Sequence, residues 1–373
     1  MKGEERYLLN LLEGTKTRFV IPVYQRNYDW KLEQCKQLFD DLEELVHEGG
    51  ESHFFGSIVS KADGDIRVII DGQQRITTSY LLLLALVRQL RDGGITSSDE
   101  NLADMVNEEY LIDKWHKSEK KLKLKLIKDD QAAFEAIYTG DPDKFVQDSN
   151  VTQNFLFFCN RIKASQLDAD QLKGAIEKLM IIDIKLDKED DAQRIFESLN
   201  STGLDLTEAD KIRNFILMDL AEKEQESCYE EYWIPIERNT LGQVSDFVRY
   251  YLAAKMGKTP VVGRVYQSYV DYARRTYTSA QSGRLDTLAM LGDLRSFSER
   301  YGRCVSPDRD RSELDAVLYR LSLLQMGVVI PFSLNLLATL DNGTVSEIQA
   351  VECMEAVESY LFRRWSCGIP TNS

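Results

Sequence analysis

The sequence predicts an α+β fold in which a small mixed α/β domain at the amino terminus is followed by a predominantly helical region. Three patterns carry this expectation. Two apolar runs, Phe54 to Ser60 and Ile66 to Ile70, flank an Asp63-Gly64 hairpin signal. The second run passes through Asp71-Gly72 into a leucine-rich segment, Ile76 to Leu90, with the sense strand, tight glycine turn, helix. From about Cys228 to Trp365 the apolar spacing is helical, with aromatic anchors at Trp233, Phe247, Tyr250 and Tyr251.

Taken in order, Arg18 to Val23 is a short β-branched and apolar run interrupted by Pro22. Trp30 to Val46 has helical spacing through Leu32, Cys35, Leu38, Phe39, Leu42 and Leu45, and Gly49-Gly50 stops it. The strand pair and the Ile76 to Leu90 helix follow, the helix closing at Asp92-Gly93-Gly94. Thr96 to about Asp170 is mostly helical, except that Leu122, Leu124 and Leu126 alternate with Lys121, Lys123 and Lys125 over Lys120 to Leu126. That alternation reads as a half-buried strand with a lysine face, either a solvated edge guarded by lysines or a DNA-contact stripe. Leu179 to Leu186 is a strand and Asp190 to Leu199 a helix that breaks at Asn200-Ser-Thr-Gly203. A helix from Thr207 to about Lys223 is capped by Thr207, with Asp210 in its first turn. Thr278 to Arg284 and Ser306 to Arg311 read as loops.

Composition narrows the classes. The 373 residues are 43% hydrophobic, enough for a substantial core. Lys plus Arg is 46 against 61 for Asp plus Glu, and the resulting charge of −15 argues against coating a polyanion while leaving room for a local basic cleft. Apolar stretches such as Tyr80 to Val87 and Met326 to Leu340 are too short or too interrupted to span a bilayer, and no secretory pattern opens the chain, so the expected setting is the cytoplasm, without membrane contact. Six scattered cysteines with no CxxC pair read as free thiols, mostly in the core. Only His47, His53 and His116 occur, which excludes an HNH or His-metal cluster in this chain. His53, near the first strand, is the one closest to the candidate motifs.

Three constellations can carry chemistry. In Ile21-Pro-Val-Tyr-Gln-Arg-Asn-Tyr-Asp-Trp30, Arg26 can fork onto a phosphate, Gln25 can donate or accept, and Tyr24, Tyr28 and Trp30 offer stacking faces. The same residues equally suit a core with an internal ion pair. In Asp71-Gly-Gln-Gln-Arg-Ile-Thr-Thr78, Gly72 permits close backbone approach, the helix start favours an anion and Arg75 adds a bidentate donor. Asp71 can hold a magnesium ion or orient water, and Gln73 or Gln74 can position that water. A plain sheet connection uses similar residues, and no GxxxxGK[ST] P-loop is present. In Phe196 to Asp210, followed by Arg213 and Asn214, residues Asn200, Thr202, Arg213 and Asn214 can face one pocket, although Asn200, Gly203 and Thr207 also serve as helix caps.

Together these blocks resemble the ParB-like amino-terminal domain of GmrSD-type, modification-dependent restriction proteins, which include SspE-like sensors of phosphorothioate DNA. The matching residues are Ile21-Pro22, Tyr24-Gln-Arg26, Tyr28 and Trp30; Phe55-Gly-Ser57; Asp71-Gly-Gln-Gln-Arg75 with Thr77-Thr78; and Phe196, Asn200, Gly203, Leu206, Asp210 and Asn214. The resemblance implies a ParB-like nucleotide-binding core over 1–95, a mixed helical region over 96–225 with strands near 120–126 and 179–186 completing the pocket, and a helical domain over 226–373. It implies nucleoside-triphosphate hydrolysis by Asp71, Gln73, Gln74 and Arg75, with Gly72 in the phosphate turn, Thr77 beside it and a divalent metal, magnesium, held at Asp71. Tyr24-Gln25-Arg26 then lines the same pocket or contacts modified DNA. Family members usually carry an HNH-type nuclease domain after this region, and Tyr360 to Ser373 resembles the lead into it. The expected protein is therefore an NTP-hydrolysing sensor of anti-phage defence that gates a nuclease domain or subunit supplied elsewhere, with DNA as partner and a homodimer possible. The alternatives are a binding module that recognises modified DNA or nucleotide without turnover, and a ParB-like nuclease.

Overall fold

The structure, a computed structural model, describes residues 2–14, 17–113, 122–187, 190, 195, 206–280 and 283–369. The strand, glycine turn and helix expected from the sequence form its centre. Strand β4 (Ile66–Asp71) ends at the turn, Gly72 takes the left-handed conformation (φ 86°), and helix α3 (Gln73–Arg91) follows at once. This helix is apolar nearly all round, with Ile76 and Tyr80 to Val87 buried, as suits an element enclosed by others rather than laid on a surface.

Around it the first unit, Met1–Leu204, is assembled from β1 (Lys2–Tyr7), α1 (Leu8–Leu12), β2 (Arg18–Val20), α2 (Leu32–Glu48), β3 (His53–Asp63), β4 and α3. It continues through α4 (Leu102–Val106), a π-helical turn (Asn107–Leu111), β5 (Leu124–Lys125), α5 (Lys128–Thr139), α6 (Asn150–Ala164), α7 (Ala169–Glu177) and β6 (Leu179–Leu186). The strands form one six-stranded sheet in the order β1-β6-β3-β4-β2-β5. The hairpin β3–β4 is antiparallel, with a bulge at Val59/Ser60. By contrast β2 runs parallel to both β4 and β5, so these three strands end on the same side of the sheet. Pro22 stops β2 after three residues, because proline cannot donate to the ladder. Helix α3 packs against α6 and α4, and α2 against α6 and α7, over a core that includes Phe19, Ile58, Ile69, Ile181, Phe39 and Phe134.

The lysine-faced strand is corrected by the structure. Lys123 has no exposed surface, and its ammonium donates to Leu12 O (3.2 Å) and Glu109 O. The strand lies against the carboxyl ends of α1 and the π-helical turn, whose terminal carbonyls need donors, and the lysine stem carries the amine to them. Burial draws the amine down to about 8, against the pull of Glu109, Asp113 and Glu13. Lys125 keeps partial exposure in β5, and Lys121 lies outside the described residues. The expected Asp190 to Leu199 helix and the Asn200 to Gly203 turn also fall largely outside them.

The second unit, Asp205–Ser373, is predominantly helical over its described residues, with one isolated antiparallel bridge between Thr278 and Leu285. Its first helix, α8 (Glu208–Leu217), is shorter than the expected Thr207 to Lys223, because the chain turns at Asp219 to Ala221 before a separate helix, Glu222–Cys228. Thr207 caps α8 as read from the sequence, its Oγ1 accepting from Asp210 N at 3.1 Å. The cysteines are free thiols: Cys35, Cys159, Cys228 and Cys304 are buried, Cys353 half-buried and Cys367 exposed. Among the described residues no helix is long and apolar enough to cross a membrane.

Candidate functional site

The Asp71 to Arg75 turn lies where β4 ends, beside the ends of its parallel neighbour β2 and of β5 beyond it. Ligands of open α/β sheets gather in this position, outside the carboxyl ends of the strands. Gly72 caps α3 without a side chain, so no cap side chain accepts from the first amides of this 19-residue helix, and the Asp71 carboxyl accepts from the Gly72 amide just before it. The glycine is required on its protein side as well. A Cβ at Gly72 would lie 2.8 Å from Ser57 O, and its positive φ disfavours any other residue.

Arg75, in the first turn of α3, lies over Gly56 in the Phe55-Gly-Ser57 block. A Cβ there would come 2.5 Å from Arg75 Nε, so the bulged glycine of β3 (φ 116°) is the seat of the arginine. The guanidinium makes one long bond, Nη1 to Ser57 O at 3.4 Å. Burial pushes the Asp71 carboxyl above its ordinary value, against the opposing pull of the Gly72 amide and of the Arg75 and Arg26 guanidiniums. Two guanidiniums thus lie close to one carboxylate at a bare helix start, which leaves a local positive excess.

The aromatic loop from Ile21 to Lys31 crosses the same helix. Gln74 holds it: its Oε1 accepts from Asp29 N (2.9 Å) and Trp30 N (3.2 Å), and its Nε2 donates to Asn27 O (3.2 Å). Tyr28 is the loop's anchor and is 4% exposed. Thr78 gives its hydroxyl proton to Gln74 O (2.8 Å), so the Tyr28 phenol donates to Thr78 Oγ1 (2.6 Å) and accepts from Asn154 Nδ2 (3.0 Å). Burial drives that phenol far above its usual range. Gln25 is buried and donates to Ile70 O (2.9 Å), and Tyr24 is buried beside it. Trp30 meets Phe55 edge to face at 6.4 Å. Most of this block therefore packs the fold. Arg26 differs: it is half-buried and makes no hydrogen bond or salt bridge among the described residues.

Between the loop, α3 and the start of α5 lies a cleft lined by Ile21, Arg26, Tyr28, Gln73, Gln74, Thr77, Leu126, Ile127 and Asp130. Its free space is about 10 Å³, room for about one water-sized group in the ligand-free protein. Gln73 is only 7% exposed, and its Oε1 is buried without a hydrogen-bond partner. Two adjacent glutamines thus differ in kind, Gln74 being committed to the loop and Gln73 facing the cleft with an unmet need.

Asp130 was not singled out from the sequence. It is 7% exposed, and one carboxylate oxygen accepts from Tyr28 N at 2.6 Å. Burial raises the carboxyl to about 6, with the Tyr28 amide pulling down and Asp129 adding to the rise. Asn154 was missed as well. The only sequence signal for Asp130 was its place in the first acidic turn of α5, which a dipole-stabilising residue explains equally well.

Asn200 and Thr202 are outside the described residues. Arg213 and Asn214 belong to the second unit, where Arg213 pairs with Asp210 (2.8 Å) and Glu237 (3.2 Å) and Asn214 is buried with an unpartnered Oδ1. His53 starts β3 and lies 3.4 Å from Asp41.

The sequence model of the GmrSD restriction endonuclease N-terminal domain matches residues 8–217, more than half of the chain and all of the cleft described above. No curated protein matches the sequence. The chain thus belongs to the GmrSD restriction endonuclease N-terminal domain family and is a module of a restriction system.

Proposed function

We propose that this chain is a nucleoside-triphosphate-binding and hydrolysing sensor module that gates DNA cleavage by a nuclease domain or subunit according to DNA modification. One observation carries the reading: an uncapped helix start, two guanidiniums and a buried, unpartnered glutamine oxygen converge at the carboxyl ends of parallel strands. The uncapped amides and Arg75 take the phosphates, and Arg26 approaches them from the loop. Asp71, its proton affinity raised by burial, accepts a proton from the attacking water, which Gln73 orients through its free amide oxygen. Gln74 holds the loop that carries Arg26 in place.

Among the described residues no group of three or more His, Cys, Asp or Glu side chains stands ready for a metal ion. In place of that proton-accepting role Asp71 also suits magnesium, since that ion is usually held by one or two carboxylates together with the nucleotide's own phosphates. When bound there it would neutralise phosphate charge.

The test is phosphate release by the purified chain with magnesium. Arg75→Ala is expected to lower hydrolysis by about two orders of magnitude, the scale for loss of one charge-stabilising donor. Undiminished hydrolysis rejects the site. Thermal stabilisation by nucleotide without any phosphate release would instead favour a pure binding module.

A further inference from the structure

The chain carries a net charge of −15, yet residues 249–284 of the second unit hold seven basic side chains and one acidic one, Asp271. Two helices, Val244–Met256 and Val265–Tyr277, and the loop between them make up most of this stretch, which lies beyond the residues that the family model matches. Two of the cations are used inside the fold: Lys255 pairs with Asp293 at 2.9 Å, and Arg249 Nε donates to Pro260 O at 3.1 Å, which ties the loop down. Lys258, in that loop, and Arg264 and Arg275, at the two ends of the second helix, differ from these. All three are exposed, and among the described residues their side chains make no hydrogen bond, ion pair or ring contact. Tyr269, Val270 and Ala273 bury the opposite side of the helix, and Arg264 and Arg275 stand three turns apart, so they share its outer face with about 16 Å of axis between them. Asp271 lies on that face too, its carboxylate accepting from Gln267 Nε2 at 3.0 Å.

We propose that this face, Lys258 with Arg264 and Arg275, is a contact surface for the phosphate backbone of double-stranded DNA. Free cations about 16 Å apart exceed the reach of a single phosphate group and match the scale on which the grooves, about 6 and 12 Å wide, separate rows of phosphates. In a chain whose overall field repels a polyanion, a local positive surface decides where and in what orientation DNA approaches, without reading its sequence. A bilayer with acidic headgroups offers similar charge, and the exposed Val261 and Val262 of the loop suit it, but membership in a restriction system decides for DNA. The inference rests on the DNA-directed part of the function proposed above and needs nothing of the nucleotide site.

The experiment measures binding of the full chain to a short unmodified duplex, without nucleotide, across about 50 to 200 mM salt. A variant combining Lys258→Ala, Arg264→Ala and Arg275→Ala is expected to bind at least about tenfold more weakly at about 100 mM salt, with the slope of log affinity on log salt reduced by about 2 to 3. A control of equal charge, Lys163→Ala with Lys223→Ala and Arg363→Ala, removes three exposed cations elsewhere and is expected to keep the native slope. Should the first variant fail to fold, Arg275→Ala alone decides, with a slope lower by about one. An unchanged slope, or an equal loss in the control, overturns the surface and leaves the DNA-directed reading standing. A native chain that binds no duplex at about 50 mM salt, or that binds phosphatidylcholine–phosphatidylserine vesicles through these residues and DNA without them, overturns it as well. The nucleotide site is judged separately, by phosphate release.

Discussion

Strand β4 carries a charged cluster near each end, and the two are built on opposite principles. Near its start, Arg67 bonds Asp183 at 2.6 Å and Ser60 Oγ at 2.7 Å, and Arg6 and Lys185 lie 3.7 and 3.6 Å from the same fully buried carboxylate. At its finish, Asp71 has Arg75 and Arg26 nearby, yet Arg26 has no bonded partner among the described residues, Gln73 Oε1 has none, and α3 begins without a cap. The first cluster spends its polar groups on one another and so fixes the fold. The second leaves them open at a cost in stability, which evolution retains where a ligand completes the set.

That contrast is broken most forcefully at Asp183. Replacing it with Ala strands Arg67, which is 13% exposed, without its counter-ion, and the expected loss is about 3–5 kcal/mol, measured by denaturant unfolding. Nucleotide binding by the fraction that remains folded is expected to be normal, since the cluster takes no part in the cleft. A loss below about 1 kcal/mol would show that the two ends do not differ as described. Gln74→Ala is next. It removes three bonds to the loop backbone, worth about 2–3 kcal/mol together, and frees Arg26 to move, so weaker stability and weaker nucleotide binding should appear together. Binding unchanged in the destabilised variant would separate the loop from the site.

What the sequence disclosed of this arrangement follows from distance along the chain. The β4, Gly72 and α3 succession was legible, because a β-branched run, a glycine and a leucine-rich periodic stretch adjoin each other. The pairing of the loop with the turn was legible only as two motifs of similar character, since the bonds that join them span 44 to 47 residues. Asp130 and Asn154 were not legible at all: they reach Tyr28 across 102 and 126 residues, and neither stands in a pattern that differs from ordinary helix composition. Strand β1 was missed because Lys-Gly-Glu-Glu-Arg-Tyr has no apolar alternation. It becomes a strand only by pairing with β6 at the sheet edge. Lys123 misled for a related reason, since alternation identifies a face but not what covers it.

Asp130 sharpens the comparison through pH. Its folded value, about 6, lies above the ordinary 3.8, so it contributes stability that is fully present below about pH 4 and is lost as the pH rises through 6. Relative to Asp130→Asn, which does not titrate, the native chain is expected to gain about 2 kcal/mol on going from pH 7 to pH 4.5, read as the difference between two unfolding series. Parallel series would mean that the carboxylate is better solvated than its surroundings imply.

The smallest effect is also the most discriminating. Gln73→Leu removes a buried oxygen that has no partner while keeping a helix-compatible side chain of similar length, so the ligand-free protein should be no less stable and should gain up to about 1 kcal/mol. The same change at Gln74 would be destabilising, because there the amide is fully employed. Nucleotide-dependent thermal stabilisation should then be large in the native chain and strongly reduced in Gln73→Leu. A leucine variant that is clearly less stable without ligand would mean that Gln73 is already satisfied in the resting protein, and the unfilled end of β4 would lose its strongest witness.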